Sequence, residues 1–112
     1  MALLIINAAS EDTIAAPGNR LANYVVVSVT DANGAPVSGL GAADFKVEPM
    51  IVGPGGALVN ITSVTPGIFP GFYLVQVVPI NVQTWKAGTY IFAVAVNHGG
   101  NQGQNLCSVL MD

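Results

Sequence analysis

The clearest strand signal in the chain lies in residues 22–30, which read Ala22-Asn23-Tyr24-Val25-Val26-Val27-Ser28-Val29-Thr30. Successive side chains of an extended strand point to opposite faces, so Val25, Val27 and Val29 lie at alternate positions on one face of this segment. The following residues, Asp31-Ala32-Asn33-Gly34, favour a tight turn because Asn and Gly tolerate positive φ angles. The stretch therefore predicts a half-buried β-strand that ends in a turn.

The rest of the chain repeats this arrangement. Thirteen glycines and seven prolines interrupt short runs rich in Val, Ile, Tyr and Phe, and no long window has the apolar spacing of a helix. The predicted strands span residues 2–8, 22–30, 45–50, 57–64, 72–78, 90–96 and 106–111, with a polar, glycine-rich loop at 97–105. This pattern predicts an all-β fold, an immunoglobulin-like (Greek-key) β-sandwich of about seven strands, and the length predicts one domain over residues 1–112.

The composition is unusual for a domain of this size. Charged residues make up 8% of the chain, whereas an average soluble protein has about 25%. Hydrophobic residues make up 52%, and the mean hydropathy is +0.60. Both faces of the second and sixth predicted strands are largely apolar, although a two-layer sandwich buries only one face of each sheet. We therefore expect a second copy or another protein to cover part of an outer face.

The charges and the short apolar runs argue against nucleic acid and membranes as partners. Only Arg20, Lys46 and Lys86 are cationic, and the net charge is −3, so neither nucleic acid nor an anionic membrane surface is an expected partner. The apolar runs are too short for membrane insertion, and no signal peptide is visible. We expect a cytoplasmic protein from the sequence as given, or an extracellular one if a leader was removed.

Three segments resemble the bacterial immunoglobulin-like domains of the invasin/intimin type. Their V-x-V-x-D-x-x-G-x-P-V-x-G-L opening is similar to residues 27–40, their G-T-Y strand to residues 86–94, and their closing strand to residues 101–111. Transthyretin-like and carboxypeptidase regulatory-like sandwiches share the D-x-x-G-x-P-V element, so the subtype stays open. The resemblance implies a sandwich used as a spacer, an adhesin or a carbohydrate-binding appendage; fold alone assigns none of these roles.

Residues that could carry chemistry are few. Asp31, Asn33 and Asp44 are weak candidate calcium ligands, since calcium takes six to eight oxygen ligands, and turn chemistry accounts for the same residues without an ion. His98 and Cys107 are the only histidine and the only cysteine. We expect a loop imidazole and a buried thiol there rather than a catalytic pair. The sequence therefore predicts no enzyme and no cofactor.

The candidate contact residues lie on one strand and in two loops. Tyr24 and Val26 occupy the second face of the second strand. Ile68 and Phe69 lie in a proline- and glycine-rich loop, where they either anchor an interface or fold back over the core. Trp85 is a further contact candidate, the platform of an alternative carbohydrate-binding function, or a plug in the core. We expect a non-enzymatic structural or protein-interaction module that self-associates or joins a larger assembly, with glycan binding as the alternative.

Overall fold

The computed structural model describes residues 3–11, 15–51, 59–81 and 83–111. These ranges contain seven strands and one short 3₁₀ turn at Ala42–Asp44. The strands are β1 Leu4–Glu11, β2 Asn23–Asp31, β3 Phe45–Ile51, β4 Val59–Pro66, β5 Phe72–Pro79, β6 Gly88–His98 and β7 Asn101–Met111. Within the described ranges, no helix has the length and apolar character that crossing a membrane requires.

The strands form two antiparallel sheets. One sheet has the order β1-β2-β5-β4, and the other has the order β3-β6-β7. The constant-type immunoglobulin sandwich has the same strand order. The predicted seven-stranded β-sandwich is therefore confirmed. The resemblance to one family of bacterial domains stays a prediction, because many unrelated families share a sandwich topology.

The core lies between the sheets and follows the alternation read from the sequence. Val25, Val27 and Val29 of β2 are fully buried, and they join the buried residues of β6 and β5 in one hydrophobic cluster. Burial of each valine contributes about 1.5–3 kcal/mol relative to an exposed side chain. The Tyr90 hydroxyl accepts a 3.0 Å hydrogen bond from the Lys86 amide. Immunoglobulin-like sandwiches place a tyrosine with this kind of bond near the start of the sixth strand.

The polar segment 97–105 is not a loop, which corrects the sequence-based prediction. β6 continues to His98 and β7 begins at Asn101, so only Gly99 and Gly100 form the connection. Both glycines have positive φ angles, 60° and 87°, as a two-residue type I′ hairpin turn requires. The polar residues of β7 mark an exposed strand face rather than a loop. The sequence Gly53-Pro54-Gly55-Gly56 predicts a further tight turn, and these residues lie outside the described ones.

β1 closes one side of the sandwich against β7. Leu3 forms a parallel bridge with Gln102, and the Asn105 side-chain amide donates a 2.7 Å hydrogen bond to the Ile6 carbonyl. A β-carbon added to Gly103 would lie 2.1 Å from the Leu4 carbonyl oxygen, a distance that no real contact allows. Gly103 therefore permits the close approach of the two backbones.

Candidate interaction surface

The outer surface of the four-stranded sheet is half-buried and largely apolar at its centre. Val26 of β2 lies opposite Ala9 of β1 and Leu74 of β5, so the three side chains form one row across the sheet. Phe72 precedes Leu74 by two positions, on the same face, and its side chain is 42% exposed. We call Ala9, Tyr24, Val26, Phe72 and Leu74 the four-strand face.

This face carries almost no charge. Alternation places twelve residues of β1, β2 and β5 on the outside of the sheet, and Glu11 at the end of β1 is the one charged residue among them. The others are Ile5, Asn7, Ala9, Tyr24, Val26, Ser28, Thr30, Phe72, Leu74, Gln76 and Val78. The water-exposed face of a sheet normally carries polar and charged side chains. The apolar and uncharged residues on this face therefore indicate that another surface covers it.

The loop between β4 and β5 extends the face. Ile68 is 95% exposed and Phe69 is 67% exposed, so Phe69 does not fold back over the core. The Phe69 ring meets the Phe72 ring edge-on, with 6.2 Å between the ring centroids. We call Ile68 and Phe69 the loop tip. The contact with Phe72 makes the loop tip continuous with the four-strand face.

Backbone hydrogen bonds fix the shape of this loop. The Gly67 amide donates to the Phe72 carbonyl at 2.7 Å, and the Phe72 amide donates to the Phe69 carbonyl at 3.2 Å. The Val29 amide of β2 donates to the Gly71 carbonyl at 2.8 Å, which ties the loop to the sheet. A tip held in this way loses little conformational entropy when it binds, which is typical of residues that dominate interface energies.

The D-x-x-G-x-P-V segment, residues 31–37, packs against the loop between β4 and β5. One Asp31 carboxylate oxygen accepts hydrogen bonds from the Asn33 and Ala35 amides, at 2.8 Å and 3.0 Å. This turn brings Pro36 against Gly71, whose φ angle is +82°. The motif therefore acts as a scaffold for the loop tip.

Tyr73 also joins this segment to the sheet. Its hydroxyl donates a 2.6 Å hydrogen bond to the Val37 carbonyl and accepts one of 3.3 Å from the Leu40 amide. Sequence reasoning missed this role, because a tyrosine in a β-strand gives no sign of which distant carbonyl it reaches.

Both candidate metal-ligating carboxylates have other partners. The Asp31 carboxylate is part of the turn already described. Asp44 accepts a 2.9 Å hydrogen bond from the Gly41 amide and lies 3.1 Å from His98 Nδ1. The Gly41 amide, and after it the His98 side chain, hold the pKa of the Asp44 carboxyl below its ordinary value. Among the residues that the structure describes, no three His, Cys, Asp or Glu side chains form a group that could hold a metal ion.

Cys107 and His98 lie far apart. Cys107 pairs with Phe92 across β6 and β7, and His98 is six positions farther along β6, which corresponds to about 20 Å. Burial raises the pKa of the Cys107 thiol, and this disfavours the thiolate that nucleophilic chemistry needs. The arrangement therefore provides no nucleophile–base pair.

Trp85 is buried, which confirms its interpretation as a plug in the core and corrects its prediction as a contact residue or a sugar platform. Its side chain is 0% exposed, and its indole Nε1 donates a 2.8 Å hydrogen bond to the Leu21 carbonyl. Its ring packs edge-on against Tyr90 at 5.3 Å between centroids. No face of the indole is free to stack on a sugar. Trp85 is a core residue that ties the loop before β2 to the sandwich.

Arg20 and Lys46 have specific partners within the chain. The Arg20 guanidinium donates to three carbonyls at the end of β5 and in the connection that follows it, those of Pro79, Asn81 and Gln83. Lys46 forms a 2.8 Å ion pair with Glu48 on the surface of β3. Neither contributes to a basic patch, and sequence reasoning missed the bridging role of Arg20.

The surface that stands out among the described residues is therefore the uncharged four-strand face with its loop tip. It contains four of the five predicted contact residues, Tyr24, Val26, Ile68 and Phe69, and excludes Trp85. Comparison adds no relative from which a function could be transferred: no family model matches the chain, and no curated protein or solved structure shows significant similarity to it.

Proposed function

We propose that this protein is a non-enzymatic interaction module that self-associates through the four-strand face and the loop tip. The observation that supports the proposal most directly is the exposed apolar path from Phe69, through its edge contact with Phe72, to the row at Val26. Isolated exposed apolar residues are common on protein surfaces, whereas continuous apolar patches mark contacts with other proteins or membranes.

The charge distribution favours a second copy as the partner. A face whose one outward charge is Glu11 at its end can meet itself without placing like charges opposite each other. A two-fold contact uses the same patch on both chains, and two-fold dimers are the commonest oligomers. Such a contact would also cover Val26 and Phe72, which the sandwich itself leaves half-exposed.

The size of the face predicts a modest affinity. Four strands of about eight residues, spaced about 4.8 Å apart with a rise of about 3.3 Å per residue, give a footprint of roughly 500 Å². Stable interfaces bury about 800 Å² per partner. Ile68 and Phe69 at the loop tip add area beyond the sheet. We therefore expect a dimer that dissociates on dilution.

Sedimentation velocity and light scattering over micromolar to millimolar concentrations test the proposal. We expect the wild-type mass to rise with concentration. The double variant Ile68→Ser/Phe69→Ser should weaken the dimer about 30-fold, which corresponds to about 2 kcal/mol for the loss of an apolar anchor. Both side chains are exposed, so the folded monomer should keep its stability.

Leu21→Ser is the matched control. Leu21 is a 45% exposed apolar residue that precedes β2, at the opposite end of the sheet from the loop tip. The control should associate as the wild type does. A wild-type chain that stays monomeric up to millimolar concentration would refute self-association. A dimer that is indifferent to the loop-tip variant would show that another surface forms it.

A further inference from the structure

A small open hollow interrupts the four-strand face. It has a volume of about 190 Å³, and its walls include Asn7, Ala9, Val26, Ser28 and Phe72. Ala9 of β1 lies opposite Val26 of β2 in the strand register, so the hollow lies over these two strands. Phe72 is paired with Ser28 and forms the wall on the β5 side. We call this space the face hollow.

The face hollow has room for an aromatic ring. An apolar cavity of about 150 Å³ accepts a benzene molecule, and the face hollow measures about 190 Å³. The described residues that line it carry no charge. A ring can therefore enter the hollow without burying an unpaired charge.

Phe69 at the loop tip carries a ring of this size. The ring is 67% exposed, it meets the Phe72 ring edge-on, and it does not line the face hollow of its own chain. The backbone hydrogen bonds between Gly67, Phe69 and Phe72 hold the loop in shape, so little entropy is lost when the ring binds. One face of the chain thus carries both a projecting ring and a hollow of matching size.

We propose that Phe69 of each copy inserts into the face hollow of the other copy, so that ring and hollow pair twice in one dimer. The inference rests on the proposed function, and it names the residues that fix how the two faces meet. Phe72 lies beside both features. The two ring centroids of Phe69 and Phe72 are 6.2 Å apart. The hollow, over β1 and β2, is centred about 7 Å from β5 at the usual strand spacing of about 4.8 Å.

A two-fold axis in the plane of the contact produces this exchange. We place the axis through Phe72, along the line that bisects the directions from Phe72 to Phe69 and to the face hollow. Rotation about this line exchanges the two directions, so each Phe69 ring lies over the hollow of the other copy. The two distances from Phe72 are similar, so the exchange needs no change in the backbone. A second copy is the occupant because a two-fold contact uses one patch twice, and this patch holds both halves of the fit.

Ala9→Leu tests the insertion by filling the face hollow. Ala9 is exposed in the monomer, so the fold should tolerate the change, and urea denaturation at low protein concentration checks this. In sedimentation velocity we expect the dimer to weaken about 10-fold or more, because the added side chain overpacks the site that the ring needs. If the ring does not insert, the larger apolar side chain adds contact area and strengthens the dimer.

Ala95→Leu is the matched control. It makes the same change on the outer side of the three-stranded sheet, where an open depression of about 740 Å³ leaves room for the added atoms. The control should dimerise as the wild type does.

A double-mutant cycle tests whether the ring and the hollow meet. Phe69→Ala alone should weaken the dimer. Ala9→Leu/Phe69→Ala should dimerise no more weakly than Phe69→Ala, because no ring is left for the larger side chain to exclude. Losses that simply add in the combined variant would overturn the insertion.

The same measurements separate this inference from the proposed function. If Ile68→Ser/Phe69→Ser dissociates the dimer while Ala9→Leu dimerises at least as tightly as the wild type, the insertion is refuted and the proposed function survives. A wild-type chain that stays monomeric up to millimolar concentration refutes both.

Discussion

Pro36 lies against Gly71 so closely that a β-carbon added to Gly71 would come within 2.8 Å of the Pro36 Cβ. The same atom would lie 2.9 Å from the Val29 carbonyl oxygen. The contact joins the turn after β2 to the loop that presents Ile68 and Phe69. A recurrent turn motif and an exposed apolar loop, which look unrelated in the sequence, are thus one structural unit.

Gly71→Ala should both destabilise the protein and displace the loop tip. The φ angle of +82° strains any residue with a β-carbon, and that atom would also collide with Pro36. Gly39→Ala is the matched control, because Gly39 has a φ angle of +80° and nothing within 4 Å of the added atom. We expect a loss of about 1–2 kcal/mol in the free energy of unfolding for Gly39→Ala, from backbone strain alone.

The collision should add roughly another 1–3 kcal/mol for Gly71→Ala. Urea denaturation at low protein concentration measures both variants. If the two variants lose the same free energy of unfolding, the neighbours of Gly71 move aside at no cost. Gly71→Ala should also weaken dimerisation, whereas Gly39→Ala should leave it unchanged.

Gly103→Ala should separate β1 from β7. The added β-carbon would meet the Leu4 carbonyl oxygen at 2.1 Å, so one backbone must move. We expect a loss of about 3 kcal/mol, at the upper end of overpacking effects. Hydrogen exchange should quicken in β1, where the Asn105 side chain bonds the Ile6 carbonyl.

Gly41→Ala is the control for this prediction. Gly41 has an ordinary φ angle of −122° and open space around the added atom. It should change neither stability nor exchange in β1. If Gly103→Ala behaves like the control, the two backbones are farther apart than the structure places them.

Asp44 should contribute to the acid sensitivity of the fold. The Gly41 amide, followed by His98, lowers the pKa of this carboxyl in the folded protein. A carboxyl with a lower pKa in the folded state stabilises the protein above its unfolded pKa, and that contribution is lost as the pH falls through the folded pKa. Asp44→Asn should therefore remove part of the stability loss seen below about pH 4, the ordinary pKa of aspartate.

Urea denaturation between neutral and strongly acid pH measures this effect. His98→Asn should keep most of the acid dependence, because the Gly41 hydrogen bond is the larger cause and remains. An Asp44→Asn variant with the full acid dependence of the wild type would assign that dependence to other carboxyls.

Arg20→Lys should destabilise the connection between β5 and β6. Arg20 donates hydrogen bonds to the carbonyls of Pro79 and Gln83 at 3.1 Å and 2.8 Å, and also to the Asn81 carbonyl. A lysine keeps the charge but not the planar array of donors. We expect a loss of about 1–2 kcal/mol in the free energy of unfolding. Lys86→Arg, at an exposed cation, is the control and should change little.

The alternation of apolar and polar residues predicts most of the strands. The features that it does not predict depend on contacts between residues far apart in the sequence. The alternating valines of β2 predict a buried face, because alternation is a pattern of neighbouring residues. The predicted loop at 97–105 is wrong because polar residues suit a loop and an exposed strand equally well. Only the pairing of Gln102 with Asn97 and of Asn105 with Val94 distinguishes them.

The candidate surface was predictable in part for the same reason. Tyr24 and Val26 lie on the second face of a strand that was read correctly, and the proline and glycine residues around Phe69 marked an exposed loop. Trp85 could not be placed, because its burial depends on the Leu21 carbonyl and the Tyr90 ring, which lie in other elements. No local pattern distinguishes a buried indole from an exposed one.

The closure of β1 by β7 has a consequence for how the protein is made. The bond from Asn105 to Ile6 spans 99 positions in the sequence, so it forms only after β7 has left the ribosome. Sandwiches dominated by such distant pairings fold in milliseconds to seconds, more slowly than helical domains. A nascent chain that lacks β7 leaves the outer edge of β6 unpaired and one side of the core in water. The rate of synthesis and the crowding of neighbouring chains should therefore decide how much of this low-charge protein reaches its native form.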